Sequence, residues 1–227
     1  MMHPTIDIKT FLKPGVRAHL AGIGGVSMCP LAEVLLGMGL IVQGSDMTES
    51  DTVCQLRAQG IDVAIGHSAE NLKDCDLVIR TAAIHDENPE IAGAIARGIP
   101  VYERAQAWGA IMQHYENAVC FSGTHGKTTT TSMLAWLMED SGLNPSFMIG
   151  GIARNLGRGG RFTDSDFSVL EGDEYDTAFF DKRSKFLHYL PELVVINNIE
   201  FDHADIYNSL EEIKLSFRRL TQIIPRN

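Results

Sequence analysis

The chain of 227 residues is 44% hydrophobic and 21% charged, so it can bury one large core or two modest ones, and two domains are expected. Its net charge of -10 argues against a nonspecific nucleic-acid binder, which needs Lys and Arg to neutralise phosphates. The sequence has no run of 18 apolar residues and no apolar segment before a cleavage site near its start. No membrane partner or signal peptide is therefore indicated, and a cytoplasmic location is expected.

The cysteines are few and widely scattered, and no two of them form a C-x-x-C pair. This spacing favours reduced, mostly structural thiols, with zinc ligation or disulfide bonding as the alternative. The four are Cys29, Cys54, Cys75 and Cys120.

Short apolar runs alternate with helical patterns over the first hundred residues. The predicted strands are RAHLAG (17–22), LIVQGSD (40–46), IDVAIG (61–66), DLVIRTAAI (76–84) and IPVYE (99–103). The predicted helices between them are SMCPLAEVLLGMG (27–39), DTVCQLRAQG (51–60) and NPEIAGAIARG (88–98). Strands and helices in alternation, joined by short links, predict a parallel sheet with helices on both faces. Residues 1–108 are therefore expected to form a Rossmann-like α/β domain.

The first predicted strand turns into its helix through AGIGGVSM (21–28), where ligands of such sheets bind. Gly22, Gly24 and Gly25 allow a tight turn that approaches a pyrophosphate, and Asp46 closes the second strand, where it can accept hydrogen bonds from a ribose or base. Ser27 stands where the third glycine of G-x-G-x-x-G belongs. These five residues form a candidate substrate site for NAD, FAD or a UDP-sugar, unless the glycines only permit close packing.

A second unit follows the predicted helix RAQAWGAIMQHY (104–115), and residues 109–227 are expected to form the second domain. AVCFSG (118–123) reads as a strand and TTTTSMLAWLMEDSG (128–142) as a helix. The short loop between them completes the strand, loop and helix context that a phosphate-binding P-loop requires.

This loop matches only the end of the pattern G-x-x-x-x-G-K-[ST], because Phe121 stands where the first glycine belongs. Gly123 and Gly126 can expose amides to phosphates, Lys127 can neutralise them, and the Thr128 hydroxyl can ligate magnesium. The alternative is a polar helix start rich in threonine caps. The candidate nucleotide-binding residues are Gly123, Thr124, His125, Gly126, Lys127, Thr128 and Thr129.

Acidic residues follow two later apolar runs. Glu171 closes DFSVLE, and Asn198, Asp202, His203 and Asp205 follow the run LVVI. Strands that deliver carboxylates to the edge holding a phosphate loop would create a magnesium site, and a single histidine can bind a second divalent ion or a phosphate oxygen. The alternative is a solvated acidic rim.

Taken together, these segments resemble the Mur ligases, which build the peptide of the bacterial cell-wall precursor. The resemblance covers nearly the whole chain and rests on GIGGVSM, GSDMTESDT, NPEI, GTHGKTTTTSM and DHAD. It implies that the first domain binds UDP-N-acetylmuramate, with its diphosphate at the GIGG turn, and that the second domain binds ATP and Mg²⁺.

The resemblance also implies the catalytic roles. Lys127 and Thr128 would hold phosphates and magnesium, Glu171 would ligate magnesium, and His203 would serve a second metal position. The implied reaction joins an amine to the lactyl carboxylate of UDP-N-acetylmuramate through an acyl phosphate, in peptidoglycan synthesis or recycling.

Two branches of the family are represented in different parts of the chain. Residues 17–151 resemble the branch that adds L-alanine, whereas residues 167–207 resemble the recycling branch that adds L-alanyl-γ-D-glutamyl-meso-diaminopimelate. The second resemblance rests on EGDEYDTAFFDKRSKF, in which Gly172 replaces the usual Ala. The basic segment FDKRSKF (180–186) either lies in solvent or faces anions, and we favour the tripeptide because it carries several carboxylates.

Family members continue into a third, C-terminal domain, whereas this sequence stops shortly after the predicted helix SLEEIKLSFRRL (209–220). We therefore expect a fragment that binds UDP-N-acetylmuramate without completing ligation. A noncatalytic UDP-sugar-binding fragment and a Rossmann oxidoreductase that binds NAD are the alternatives.

Overall fold

The computed structural model describes residues 6–173, 185–201, 207 and 209–225. The chain divides into two compact units, Met1–Ala107 and Trp108–Asn227. Within the described residues, each unit contains a five-stranded sheet.

The sheet of the first unit is entirely parallel, with strand order β3-β2-β1-β4-β5. Its strands are β1 (Arg17–Ala21), β2 (Ile41–Asp46), β3 (Asp62–Ile65), β4 (Leu77–Arg80) and β5 (Val101–Glu103). Helices α1 (Cys29–Gly37), α2 (Asp51–Ala58) and α3 (Pro89–Ala96) connect them. The predicted Rossmann-like arrangement is confirmed, and its strand order reverses between β1 and β4.

The central strands of this sheet are buried on both faces. All four residues of β4 and the last four of β1 are buried, which explains why these segments are apolar without alternation. The helices begin where the sequence supplies caps: Ser50 accepts a hydrogen bond from the amide of Val53 at α2. Asn88 does the same for Glu90 at α3, where a proline occupies the first turn.

The second unit has a mixed sheet with strand order β10-β6-β9-β7-β8. Its strands are β6 (Asn117–Ser122), β7 (Ser146–Ala153), β8 (Arg158–Arg161), β9 (Phe167–Gly172) and β10 (Leu193–Ile196). Helix α4 (Arg104–Met112) contains the boundary between the two units, and the second unit also has α5 (Lys127–Asp140) and α6 (Leu210–Ile223). Because β6 pairs in parallel with both β9 and β10, the carboxyl ends of these three strands share one edge.

The hairpin of β7 and β8 was not anticipated from the sequence. These strands pair antiparallel, with a register shift between Met148 and Ala153. They contain the glycine pairs of MIGGIA and RGGR, and glycine weakens the strand signal because it contributes no side chain to pack.

Gly172 lies against a fully buried cysteine. A Cβ atom built at Gly172 would overlap the Sγ atom of Cys120, which has no exposed surface. The bulk of Cys120 therefore explains why glycine, instead of the alanine of the resembling motif, follows Glu171. Burial raises the pKa of the Cys120 thiol to about 12, which suits a structural residue.

The remaining features are small. Short 3₁₀ helices lie at Ile8–Phe11, Ala69–Asn71 and Lys185–His188. All four cysteines are free thiols. No helix in the described part of the chain is long and apolar enough to cross a membrane.

Candidate phosphate-binding sites

The first candidate site is the turn of residues 22–28, between β1 and α1. The amides of Gly22 and Ile23 donate to the Ser45 carbonyl at 2.8 and 2.9 Å, so the end of β2 fixes the start of the turn. Gly22 has φ +76°, and a Cβ atom there would lie 2.9 Å from Cγ2 of Thr81. Glycine is therefore required at this position both by conformation and by space.

Gly24 and Asp46 are joined by a hydrogen bond. The amide of Gly24 donates to Oδ2 of Asp46 at 2.9 Å, and the other carboxylate oxygen accepts from the amide of Thr48 at 3.2 Å. A Cβ atom at Gly24 would lie 2.9 Å from Oδ2 of Asp46 and 3.0 Å from Cγ2 of Val53. The carboxylate that the sequence suggested for a ribose or base thus holds the turn, and Gly24 is needed for close packing.

The amides available to a phosphate lie further along the turn. Gly25 donates to the Gly22 carbonyl at 3.2 Å, and a Cβ atom at Gly25 would make only ordinary contacts. Neither the N–H group of Val26 nor that of Ser27 donates a hydrogen bond within the described residues. These two amides precede α1, whose N-terminus favours negative charge.

Ser27 also contacts a cation that the sequence interpretation missed. The guanidinium of Arg104, the first residue of α4, donates from Nη1 to Oγ of Ser27. The signal that could have identified it is its position, because Arg104 directly follows β5 and so begins at the same sheet edge as the turn.

The buried carboxylate of Glu90 supports the turn indirectly, through Ser45. Glu90 is fully buried and accepts hydrogen bonds from Ser45 Oγ and Asn71 Nδ2, each at 2.6 Å. The rings of His67 and His19 lie 3.0 and 3.3 Å from its Oε2 atom. Burial alone would raise the pKa of Glu90, but His19 and the hydrogen bonds from Ser45 and Asn71 lower it to about 2. Glu90 thus anchors the residue whose carbonyl fixes the turn.

The second candidate site is the loop between β6 and α5. Gly126 precedes the helix with φ +79°, and Gly123 has φ +135°. A Cβ atom at Gly123 would lie 2.9 Å from the Asn198 carbonyl oxygen, so the loop requires glycine at its first position as well as at its last. The loop is therefore a turn whose conformation depends on both glycines.

The residues after β10 brace this loop. The amide of His125 donates to Oδ1 of Asn198 at 2.9 Å, and the amide of Glu200 donates to Oγ1 of Thr124 at 2.9 Å. Nδ2 of Asn197 donates to the Thr130 hydroxyl at 3.1 Å. Thr124 and His125 thus hold the loop in place. Asn198 was anticipated at this edge, whereas Asn197 was missed.

Lys127 bends back over the loop. Its Nζ atom donates to the Gly123 carbonyl at 2.7 Å, in a partly buried position. Because α5 begins at Lys127, the N–H groups of its first turn, including those of Thr128 and the exposed Thr129, have no intrahelical acceptor. An ammonium group and a set of helix amides therefore meet at one point.

Glu171, at the end of β9, lies beside the same helix start. The Thr128 hydroxyl donates to its Oε1 atom at 3.0 Å, and the amide of Gly150 donates to its Oε2 atom at 2.7 Å. A Cβ atom at Gly150 would lie 2.9 Å from this carboxylate, so the glycine of β7 leaves room for Glu171. The sequence interpretation missed Gly150 because it assigned no structure to β7.

The remaining predicted site residues are not part of the described structure. His203, Asp202 and Asp205 lie outside the described residues. Among the residues that the structure does describe, no three His, Cys, Asp or Glu side chains are grouped closely enough to hold a metal ion.

Two protein-family models match the chain. The Mur ligase family catalytic domain matches residues 17–116, and the Mur ligase middle domain matches residues 121–227. Among curated proteins, the UDP-N-acetylmuramate--L-alanine ligase of Acetivibrio thermocellus is 44% identical over 211 residues, which are 93% of this chain and 44% of that protein. The chain thus spans less than half the length of this relative.

Solved structures of two ligases are similar to the chain. The UDP-N-acetylmuramate:L-alanyl-gamma-D-glutamyl-meso-diaminopimelate ligase from Neisseria meningitides matches with a TM-score of 0.86 and 38% identity, over 94% of this chain and 69% of that one. The UDP-N-acetylmuramate-alanine ligase from Thermotoga maritima matches with a TM-score of 0.80 and 31% identity, over 92% of this chain and 47% of that one.

Proposed function

The chain belongs to the Mur ligase family, and we propose that it supplies the UDP-N-acetylmuramate-binding and ATP-binding parts of an ATP-dependent ligase. We assign UDP-N-acetylmuramate to residues 1–108 and ATP to residues 109–227. The ligase joins an amine to the lactyl carboxylate of UDP-N-acetylmuramate in the cytoplasm, as a step of peptidoglycan synthesis or recycling.

The proposed reaction has two steps. A lactyl carboxylate oxygen attacks the γ-phosphorus of ATP, ADP leaves, and an acyl phosphate forms. The amine nitrogen then attacks the acyl carbon, the tetrahedral intermediate expels inorganic phosphate, and the nitrogen loses a proton to give the amide. Because a carboxylate attacks a polyanion in the first step, the protein must mainly neutralise charge and align the reactants.

One observation carries this proposal: the phosphate loop, Lys127 and the pair of Thr128 and Glu171 converge at one sheet edge. Thr128 Oγ1 and Glu171 Oε1 are 3.0 Å apart, directly beside the start of α5. In this assignment the helix amides and Lys127 bind the β- and γ-phosphates, and Lys127 exchanges the Gly123 carbonyl for a phosphate oxygen. Asn198 keeps the loop in position through the amide of His125.

The oxygen atoms beside the loop fit a magnesium ion. Magnesium prefers hard oxygen ligands in octahedral geometry and usually keeps one or two protein ligands together with phosphates and water. The exposed hydroxyl of Thr128 and the half-buried carboxylate of Glu171 meet this requirement. The ion, when bound, would neutralise phosphate charge and polarise the reacting phosphoryl group. His203 stays a proposal for a second metal position.

The first unit supports a UDP-sugar assignment. The turn after β1 lies where the strand order reverses, and the amides of Val26 and Ser27 are available to a diphosphate. Ser27 replaces the glycine that a dinucleotide fingerprint requires for close helix and strand packing. Of the candidate ligands, UDP-N-acetylmuramate is also the substrate named for the similar ligases.

The comparisons point to different amines. The curated relative at 44% identity takes L-alanine, whereas the solved structure with a TM-score of 0.86 is a tripeptide ligase. We propose the tripeptide, because the segment EGDEYDTAFFDKRSKF matches the tripeptide branch and supplies cations that its carboxylates can use. Most of that segment lies outside the described residues, so this choice rests on the sequence.

The test combines binding and turnover. The chain itself should bind UDP-N-acetylmuramate and ATP with Mg²⁺ in calorimetric titrations, and it should not bind NAD. A protein of full family length that contains this sequence should release phosphate from ATP when given UDP-N-acetylmuramate and the tripeptide. Binding of NAD with no UDP-sugar binding would overturn the ligase proposal, and efficient use of L-alanine alone would overturn only the choice of amine.

A further inference from the structure

We propose that Arg104 is a diphosphate-binding residue of the first unit, whose guanidinium pairs with a phosphate oxygen of the UDP group at the turn of residues 22–28. This inference rests on the proposed UDP-N-acetylmuramate binding and adds a cation that neither the glycine motif nor its neighbours in sequence supply. Arg104 is 77 positions away from its contact at Ser27.

The topology brings Arg104 to the turn. Ligands of open parallel sheets bind beyond the carboxyl ends of the strands, where the strand order reverses. In this sheet the reversal lies between β1 and β4, and β5 pairs with β4. Since α4 begins at Arg104, immediately after β5 ends at Glu103, the side chain starts at the ligand-binding edge and reaches across to Ser27.

Arg104 forms no ion pair within the described residues, although it lies close enough to the preceding Glu103 to act on its charge. Burial raises the pKa of Glu103, and the charges of Arg80 and, less strongly, Arg104 oppose that rise, while the hydrogen bond of Glu103 is with Arg80. Its single hydrogen bond is to the neutral hydroxyl of Ser27, and no described carboxylate oxygen lies within 4.0 Å of its guanidinium. Arg104 is also partly buried, so part of its hydration is lost while no carboxylate in the described residues forms a direct ion pair with it. A partly buried cation of this kind favours a bound anion.

The neighbouring cation shows the contrast. Arg80, at the end of β4, donates to Oε1 of Glu103 at 2.8 Å and to Oδ1 of Asp86 at 2.6 Å. Glu103 precedes Arg104 in the chain, yet it pairs with Arg80. Two arginines at one sheet edge therefore differ: one is neutralised by the protein's own carboxylates, and the other points to the phosphate-binding turn.

Several hydrogen-bond donors lie at Ser27 and at the residue before it. Because Ser27 Oγ accepts the hydrogen bond from Arg104, its own O–H group can donate to a phosphate oxygen. The N–H groups of Val26 and Ser27 have no acceptor within the described residues. The Ser27 hydroxyl, these two amides and the guanidinium are four donor groups for a diphosphate, and Arg can bind phosphate through two parallel N–H groups.

The experiment separates phosphate recognition from general damage to the site. Dissociation constants of UDP and of uridine are measured by NMR titration for the wild-type chain, Arg104→Ala, Arg104→Lys and Arg17→Ala. Arg17 is the matched control, because it is exposed and begins the same sheet at the amino end of β1. Arg104→Ala should weaken UDP binding by about 10- to 100-fold, the size of a charge-assisted hydrogen bond, and leave uridine binding unchanged.

The other variants sharpen the result. Arg104→Lys keeps the charge without the two-pronged geometry, so its UDP affinity should lie between those of the wild type and Arg104→Ala. Arg17→Ala should bind both ligands like the wild type. An equal loss of UDP and uridine binding in Arg104→Ala would mean that Arg104 only braces the turn, and unchanged UDP binding would also overturn the inference. A wild-type chain that binds neither UDP nor UDP-N-acetylmuramate would overturn the proposed function itself.

Discussion

The two candidate phosphate sites occupy equivalent positions in their sheets but are built differently. Each follows the first strand of its unit and opens a helix. The second loop carries its cation within the motif, as Lys127, and is braced by residues after β10. The first turn contains no cation, and its glycines approach side chains of its own unit, including Asp46, Val53 and Thr81.

The two sites differ in how far apart in the sequence their contributing residues lie. A phosphate-binding loop that contains its own lysine can be recognised from a short sequence motif, because the charged residue and the amides are adjacent in the chain. The turn of residues 22–28 depends on partners that the fold delivers, namely Ser45, Asp46 and Arg104. The residues proposed to bind phosphate are therefore close together in the sequence of the second unit and far apart in the sequence of the first.

The largest expected effect is a loss of ATP binding at the second site, with binding at the first site unchanged. Lys127→Ala removes the ammonium group that we assign to the ATP phosphates, so ATP affinity should fall about 100-fold or more, as for the loss of a charge-assisted contact. Calorimetric titration of the variant with ATP and Mg²⁺ measures this, and titration with UDP-N-acetylmuramate is the control. Normal ATP binding by the variant would contradict the assignment and would mean that Gly-Lys-Thr is an ordinary helix start.

The reciprocal change is Gly24→Val in the first turn. The added side chain would collide with Asp46 and Val53, so the turn must shift and UDP-N-acetylmuramate affinity should fall about 10-fold or more. Arg17→Ala is the control, since Arg17 is exposed and lies at the end of β1 opposite the turn. ATP affinity should not change in either variant. Equal UDP-sugar affinities of the two variants would contradict the role given to Gly24.

A third test concerns the packing beside Glu171. Gly172→Ala places a methyl group on the Sγ atom of Cys120, so the free energy of unfolding should fall by about 1–3 kcal/mol, as for other overpacked cores. In Cys120→Ala the sulfur is absent, and the same Gly172→Ala change should then cost little. Urea unfolding of the two single variants and the double variant gives the coupling. Additive losses would show that Cys120 is not the reason for the glycine.

The last expected effect is a pH dependence of the stability of the first unit. Since the pKa of Glu90 is lowered to about 2 from 4.5, its ionised form stabilises the fold fully above about pH 4.5. This stabilisation should disappear as the pH falls from 4.5 towards 2. Glu90→Gln lacks the titration, so its unfolding free energy should change less than that of the wild type across this window. Parallel curves for both proteins would contradict the lowered pKa.

Much of this structure could be predicted from the sequence, and the misses have physical causes. The central strands β1 and β4 are mostly apolar because they are buried on both faces, which makes them easy to identify. The hairpin of β7 and β8 was missed because its glycines carry no alternating pattern. Without that hairpin, Gly150 could not be recognised as the neighbour of Glu171.

Some site residues were likewise predicted from the sequence, and others were missed. Lys127, Thr128 and Glu171 were predicted to meet, because motif and strand ends are local signals, and their proximity is now observed. Arg104 was not predicted, because its contact with Ser27 depends on the strand order as well as on its place after β5. Asn197 was missed although it follows the same strand end as Asn198. Asp46 was predicted to accept hydrogen bonds from a ribose or base; in the structure it accepts one from the amide of Gly24, and its ligand-binding role stays a prediction.

The central claim is that UDP-N-acetylmuramate binds the first unit and ATP the second. Backbone amide NMR tests it most directly, with the signals of Val26 and Ser27 reporting the first site and those of Thr128 and Thr129 the second. UDP-N-acetylmuramate should shift the first pair and leave the second pair unchanged, and ATP with Mg²⁺ should do the reverse. Shifts of Thr128 and Thr129 by UDP-N-acetylmuramate, with none at Val26 and Ser27, would contradict the account.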